Sequence, residues 1–165
     1  RLFKKFGFSD EKYLKIANKT SRENARTPVQ WDSSEYGGFS TAEPWFGVNP
    51  NYTEINVAQQ EKDPDSILNY YRKLLKVRKE NPIIIYGDYE EHYHESNEIY
   101  CYERNFNGQK ALIVCSFADR TVTFRAPKGF DLTKGEVLIS NYHDAPAKKD
   151  ICALRPYEAR VYLYK

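Results

Sequence analysis

The chain has 165 residues, with 25 Lys and Arg against 23 Asp and Glu, and the two signs are interspersed, which leaves no basic face for nucleic acid and no acidic tail. Hydrophobic residues make up 41% and aromatic residues 15%, enough to bury a core of ordinary density and to exclude a disordered chain. No apolar run is long enough to span a bilayer, and no charged-then-apolar leader opens the sequence, so no membrane partner is expected.

From Arg1 to about Tyr52 the sequence is polar and broken by Pro28, Gly37-Gly38, Pro44 and Pro50, with Trp31, Phe39, Trp45 and Phe46 interleaved. This reads as an ordered loop region without helical or strand period, whose aromatics need other surfaces to pack on. Asp63-Pro64 then opens a helix, with Asp63 as N-cap and Pro64 at the first helical position. Ile67, Leu68, Tyr71, Leu74 and Leu75 recur at helical spacing, and Pro82 requires the helix to stop before it. Beyond Pro82 short alternating runs predict strands at Ile83 to Tyr86, Ile99 to Phe106, Ala111 to Phe117, Thr121 to Phe124, Val137 to Ile139 and Ala159 to Tyr164. Asn107-Gly108 between two of them predicts a tight hairpin turn, because both residues tolerate positive φ. Many short strands at this spacing argue for an antiparallel sandwich.

Cys101, Cys115 and Cys152 are an odd number with no CxxC pair, which fits the reduced thiols of a cytoplasmic protein. Cys101 and Cys115 fall inside apolar runs, where they are expected to pack as small hydrophobes. The chain begins at Arg1 and contains no methionine, so it reads as a piece of a longer protein.

Side-chain catalysis needs a nucleophile with its base, a metal cluster, or two carboxylates flanking a bond. His92 and His94 would share one face of a strand, with Glu90 and Glu95 nearby, but two histidines without a fixed third ligand fit a surface better than a metal site. His143, between Asn141 and Asp144 in a turn, has no Ser or Cys placed with it, so no triad is expected. The informative stretch is Ser21 to Asp32, SRENARTPVQWD, where Arg26 sits between an amide and a Pro-stiffened turn. A guanidinium held this way suits paired hydrogen bonds to sugar hydroxyls or to a carboxylate. A structural arginine bridging loop carbonyls is equally compatible with the residues alone.

That stretch, with Pro44-Trp45, Val48 to Tyr52, Glu54 to Val57, Asp63 to Asn81 and Arg155 to Tyr162, resembles the C-terminal third of glycoside hydrolase family 13 enzymes of the oligo-1,6-glucosidase type. Dextran glucosidases, sucrose isomerases and trehalose-6-phosphate hydrolases share this layout, and the resemblance runs from about Ser21 to Tyr164. It departs from the family's usual pattern at Glu23, where aspartate is more usual, and at Val29, where methionine is.

The resemblance implies a fold that is mainly β: residues 83–165 a C-terminal antiparallel β-sandwich, and residues 1–82 the last loop and final helix of a catalytic (β/α)8 barrel. Arg26 would then hold the terminal glucose of an oligosaccharide, on a loop at the catalytic end of the barrel. The family's nucleophile, acid/base and third carboxylate all precede the matched segment, so no catalytic residue, metal or cofactor is expected in this chain. The expected partners are an oligosaccharide substrate and the remainder of the barrel. The alternatives are a non-catalytic carbohydrate-binding or structural β-domain, whose mark would be an exposed row of aromatics on one sheet face, and part of a trehalose-6-phosphate hydrolase. The latter would need a basic cluster near Arg26, where the sequence offers only Lys19 and Arg22.

Overall fold

The computed structural model describes residues 7, 9–20, 22 and 25–165, and the chain divides into two compact units, Arg1–Asn69 and Tyr70–Lys165. The first unit contains helix α1, Asp10–Thr20, which the absence of helical period before Tyr52 did not lead one to expect. None of its residues is buried, so local terms sustain it. Asp10 and Glu11 lie in its first turn and Lys19 in its last, each at the end of the helix dipole that favours its charge.

The rest of this unit is a loop folded on its own backbone. Trp31 and Asp32 N–H donate to Gly37 O at 2.8 and 3.2 Å, closing a turn in which Tyr36, Gly37 and Gly38 all take positive φ. A side chain on Gly38 would lie 2.7 Å from the Asp32 carboxylate, so glycine is required there. A 3-10 turn, Pro50–Thr53, leads into helix α2, Val57–Lys62. Buried Asn56 caps this helix by accepting from Gln59 N–H at 2.9 Å, and its amide donates to Tyr52 O at 2.9 Å. The first-turn donors Val57 and Ala58 find Gln30 O and Trp31 O, both at 2.9 Å.

Helix α3 runs Ile67–Glu80, starting later than the Asp63-Pro64 signal suggested. Asp63 closes a turn instead, accepting from Asp65 N–H at 2.9 Å, and the helix N-terminus falls to Ser66, whose Oγ accepts from Asn69 N–H at 3.2 Å. The end of α2 causes the delay. The carbonyls of Gln60 and Asp63 need donors, and Asn69 Nδ2 supplies both at 2.9 and 2.8 Å. The helix does stop before Pro82, with Asn81 extended. Its apolar stripe is largely uncovered: Ile67 is 83% exposed and Tyr71 57%.

The stretch anticipated as a strand after Pro82 is instead helix α4, Pro82–Tyr86. Four apolar residues do not by themselves distinguish the two, and Pro82 pre-sets φ for a first helical turn. Ile83 is thereby inserted, almost fully buried, among Ala111, Ile113 and Leu163.

The second unit is built on seven strands: β1 Asp88–His92, β2 Ile99–Phe106, β3 Gln109–Ser116, β4 Val122–Arg125, β5 Glu136–Ser140, β6 Ile151–Leu154 and β7 Ala159–Tyr164. Five form one antiparallel sheet in the order β1-β2-β3-β7-β5, and β4 pairs with β6 in a second. Phe106 faces Gln109 across Asn107-Gly108, both at positive φ, which is the expected two-residue hairpin. The alternate residues of β3 serve two cores. Leu112 and Val114 join Cys101, Tyr162, Phe124, Cys152 and Leu154 in a cluster fed by both sheets, while Ala111 and Ile113 pack with Ile83 and Leu163. Burial pushes the Cys101 thiol up to about 12, and raises Cys115 and Cys152, so the cysteines act as core hydrophobes. The architecture is thus helices followed by antiparallel sheets, with more helix than a mainly β class because residues 10–20 and 82–86 are helical. No helix among the described residues is long and apolar enough to cross a membrane.

The charged residues of the Arg155 to Tyr162 stretch are buried rather than solvated. Glu158 and Arg160 have no exposed surface. Glu158 accepts from Arg160 Nε at 2.7 Å and from Arg155 N, Nε and Nη2 at 2.8, 2.9 and 2.9 Å. Arg160 also donates to Pro146 O at 3.0 Å, Tyr162 Oη at 3.1 Å and Ala153 O at 3.3 Å. Arg155 continues outward to Asp144 Oδ1 and O, both at 2.6 Å, with its guanidinium 3.9 Å above the Tyr142 ring. Burial pushes the Glu158 carboxyl up, but the hydrogen bonds from Arg155 and Arg160 outweigh it and hold it down at about 2. A depressed carboxyl contributes its stability above the unfolded value, near 4.5, and loses it as pH falls towards about 2. Glu158→Ala is therefore expected to destabilise the chain by roughly 3–5 kcal/mol in urea unfolding at pH 7. The gap to wild type should narrow as the pH is lowered from 4.5 towards 2, and a gap independent of pH would count against a charged Glu158.

Candidate functional site

Arg26 lies in the loop that precedes the Trp31 to Gly37 turn, and what fixes that loop is the chain on both sides of it. Pro28 is buried, and Gln30 Nε2 donates to Asn51 Oδ1 at 3.1 Å and to Ile55 O at 2.5 Å, tying the segment to the approach of α2. Asp32 accepts from Ser34 Oγ and from Ser34 N–H at 2.8 Å. Those two bonds, the hydroxyl's first, hold its carboxyl below the ordinary range. The anchors surround Arg26 without engaging it. Its side chain is exposed, and among the described residues no hydrogen bond or ion pair holds the guanidinium.

The guanidinium instead borders a cleft of about 260 Å³ lined by Thr27, Pro28, Val29, Phe39, Pro44, Trp45 and Phe46. Trp45 is 94% exposed and meets Phe46 edge-on, with ring centroids 5.1 Å apart. One permanent cation set among aromatic and proline surfaces offers paired N–H donors and flat apolar faces. Phe39, Trp45 and Phe46 as walls were not distinguishable in the sequence from aromatics that merely need covering. Their one signal was the clustering of large rings in a stretch without period. Val29, one of the two departures from the usual pattern, lies in the cleft wall and is 49% exposed, whereas Ser21, Glu23 and Asn24 lie outside the described residues.

The histidines do not come together. His92 is the last residue of β1, and Tyr93 at φ 64 turns the chain out of the strand, so His94 does not share its face. His92 Nε2 lies 3.1 Å from Glu103 Oε2, while His94 Nδ1 is 3.7 Å from Glu91. Burial raises the Glu103 carboxyl, but hydrogen bonds from Asn105 and His92 and the charge of Lys110 bring it below its ordinary value. Among the described residues no three His, Cys, Asp or Glu side chains are grouped to hold a metal ion. Near His143, Asn141 is engaged with Tyr157 O at 2.9 Å and Asp144 with Arg155.

Comparison with known proteins gives this geometry a context. The alpha amylase catalytic-domain family model matches residues 1–87. The chain is 44% identical over 160 residues to the oligo-1,6-glucosidase of Halalkalibacterium halodurans, an alignment covering 96% of this chain and 28% of that protein. Among solved structures, Bacillus licheniformis trehalose-6-phosphate hydrolase superposes with a TM-score of 0.92 at 38% identity, over 100% of this chain and 30% of that one. The trehalulose synthase of Pseudomonas mesoacidophila MX-45 superposes at 0.82 and 39%, over 88% and 26%. The chain thus spans little more than a quarter of the length of the curated relatives it matches, 28% for the first.

Because Arg26 is exposed and bonded to no described neighbour, Arg26→Ala is expected to change the free energy of unfolding by no more than about 0.5 kcal/mol. A loss above about 1 kcal/mol in urea titration would identify a structural arginine bridging loop carbonyls instead.

Proposed function

This chain belongs to the alpha-amylase family, and from that premise we propose that it is the C-terminal portion of an exo-acting retaining α-glucosidase that removes terminal α-linked glucose, chiefly α-1,6-linked, from short oligosaccharides. The observation that carries the reading is the Arg26 cleft: a guanidinium with no partner among the described residues, beside the faces of Trp45, Phe39 and Phe46. A terminal glucose offers what such a cleft takes, vicinal hydroxyls for the fork and C–H faces for the rings. Its lining carries a single cation, which favours a neutral sugar over a phosphorylated one.

In this reading residues 1–82 are the end of a (β/α)8 barrel, the loop after its eighth strand followed by its final helix α3. Residues 83–165 are the C-terminal antiparallel β-sandwich. The bare apolar stripe of α3 and the exposed Trp31 support it, since such surface is what a barrel remainder would cover. The free cysteines support a cytoplasmic enzyme. Retaining hydrolysis requires a nucleophile and an acid/base on opposite sides of the bond, and no carboxylate lines the cleft. The chain alone is therefore inactive, and Arg26 binds without catalysing.

The chain extended upstream to the start of its gene is expected to release glucose from isomaltose, while residues 1–165 alone release none. In the longer protein Arg26→Ala should lower kcat/KM roughly 10²-fold or more, as for a group that positions the reacting sugar. A longer protein inert on isomaltose, maltose and 4-nitrophenyl α-glucoside, beside a short chain that retains oligosaccharide, would replace the enzyme with a non-catalytic binding module.

A further inference from the structure

The short sheet of β4 and β6 turns one face to the core and leaves the other open. Val122, Phe124, Cys152 and Leu154 feed the core, so the alternate residues Thr123 and Ala153, paired across the two strands, are exposed on the outer face. The segment before β6 walls this face on one side and is itself held in place. Lys148 and Ile151 exchange backbone hydrogen bonds of 2.8 and 2.7 Å, and Arg160 Nη1 donates to Pro146 O at 3.0 Å. Here lies a cleft of about 410 Å³, larger than the one of about 260 Å³ beside Arg26. Pro146, Ala147, Ile151 and Ala153 line it, with Thr123, Lys148 and the buried Cys152. The space is there because alanine stands at 147 and 153, where a longer apolar side chain would fill it.

The lining decides what such a cleft can hold. The carbonyls of Pro146, Lys148, Ile151 and Ala153 already accept hydrogen bonds, which leaves little for the many hydroxyls of a sugar. Its exposed polar side chains are the Thr123 hydroxyl and the Lys148 ammonium, and no carboxylate lines it. Asp150, two residues on, is turned to Arg125 Nη1 at 2.5 Å, and among the described residues Lys148 has no ion-pair partner. The ammonium repels a cationic ligand and gains nothing from a neutral one. We propose that this cleft binds a small amphiphile with an apolar body and a single carboxylate. The body lies on Pro146, Ile151 and Ala153, and the carboxylate meets Lys148 with the Thr123 hydroxyl in reach as a donor. The volume falls at the low end of small-molecule sites, roughly 300–1,000 Å³, so the occupant is a single small molecule and not a polymer. The site shares no residue with the Arg26 cleft, and its occupant follows from the lining alone. Occupancy would fasten the 146–148 segment to β6 and stabilise the sheet unit by mass action.

The test is titration calorimetry of the gene's full-length product with 4-phenylbutyrate, an apolar body carrying one carboxylate. Saturable binding is expected with a Kd at or below about 1 mM, the scale for a ligand of this size. Ala153→Trp fills the cleft from an exposed position and should weaken binding about tenfold or more. Lys148→Gln should weaken it about threefold, as for an exposed ion pair. The uncharged 4-phenylbutan-1-ol should bind wild type more weakly than the acid and be indifferent to Lys148→Gln. Circular dichroism checks that the variants fold, and should Ala153→Trp not fold, Thr123→Trp on the facing strand is read in its place. No saturable binding of the acid, binding unchanged in the tryptophan variant, the alcohol binding as tightly as the acid, or displacement of the acid by isomaltotriose would each overturn the proposal. The readout is binding and not glucose release, so the outcome is independent of the glucosidase reading.

Discussion

Two opposite charges that have lost all contact with water, Glu158 and Arg160, hold the sheet unit in its particular form. Desolvating a carboxylate and a guanidinium costs several kcal/mol each, and the pair is tolerable only because Glu158 accepts four hydrogen bonds and Arg160 donates four. Here they are used across the chain. Arg160 reaches Pro146 in the segment before β6 and Ala153 within β6, while Glu158 gathers Arg155, which goes on to Asp144. An apolar replacement of the same volume would fill the space but leave the carbonyls of Pro146 and Ala153 without donors. The network thus selects one path for residues 141–155 among those an apolar core would accept, and it binds β6, the partner of β4, to β7 of the larger sheet.

The two units differ in how far their own residues satisfy them. In the sheet unit both faces of β3 are buried, and Cys101, Leu112, Val114, Phe124 and Tyr162 form a closed cluster. In the first unit order comes from hydrogen bonds instead. Gln30, Asn56, Ser66 and Asn69 pin a loop backbone whose large rings stay in water, Trp45 at 94% exposure among them. Hydrogen bonds fix the course of a loop without requiring an apolar core beneath it. The unit consequently leaves much of its aromatic surface uncovered by its own residues.

Much of the sheet unit was legible because its signals are local. Asn107-Gly108 dictates a hairpin by backbone conformation alone, and the runs at Ile99 to Phe106 and Ala159 to Tyr164 alternate as half-buried strands must. Strand β1 is missing from the strands predicted by alternation, although His92 was placed on a strand, because Asp88, Glu90, Glu91 and His92 on an edge strand carry no apolar alternation. The helix at Pro82 was mistaken for a strand because Ile83 to Tyr86 is apolar throughout. The start of α3 was misplaced because what displaces it, Asn69 donating to the carbonyls of Gln60 and Asp63, is a contact the chain makes only once folded. Arg26 could be singled out by motif, but whether its fork was spent on loop carbonyls or left open is a matter of geometry, and the geometry leaves it open.

The central claim is that this chain supplies recognition while the reacting carboxylates belong elsewhere in the protein. A retaining glucosidase forms a covalent glycosyl-enzyme, and a fluorinated α-glucosyl fluoride that forms this ester quickly and loses it slowly will mark the nucleophile. Treating the gene's full-length product with this reagent and mapping the labelled peptide by mass spectrometry asks the question directly. The account predicts one labelled aspartate upstream of residue 1 and an unmodified stretch from 1 to 165. A glucosyl ester on any Asp or Glu within these 165 residues would contradict it.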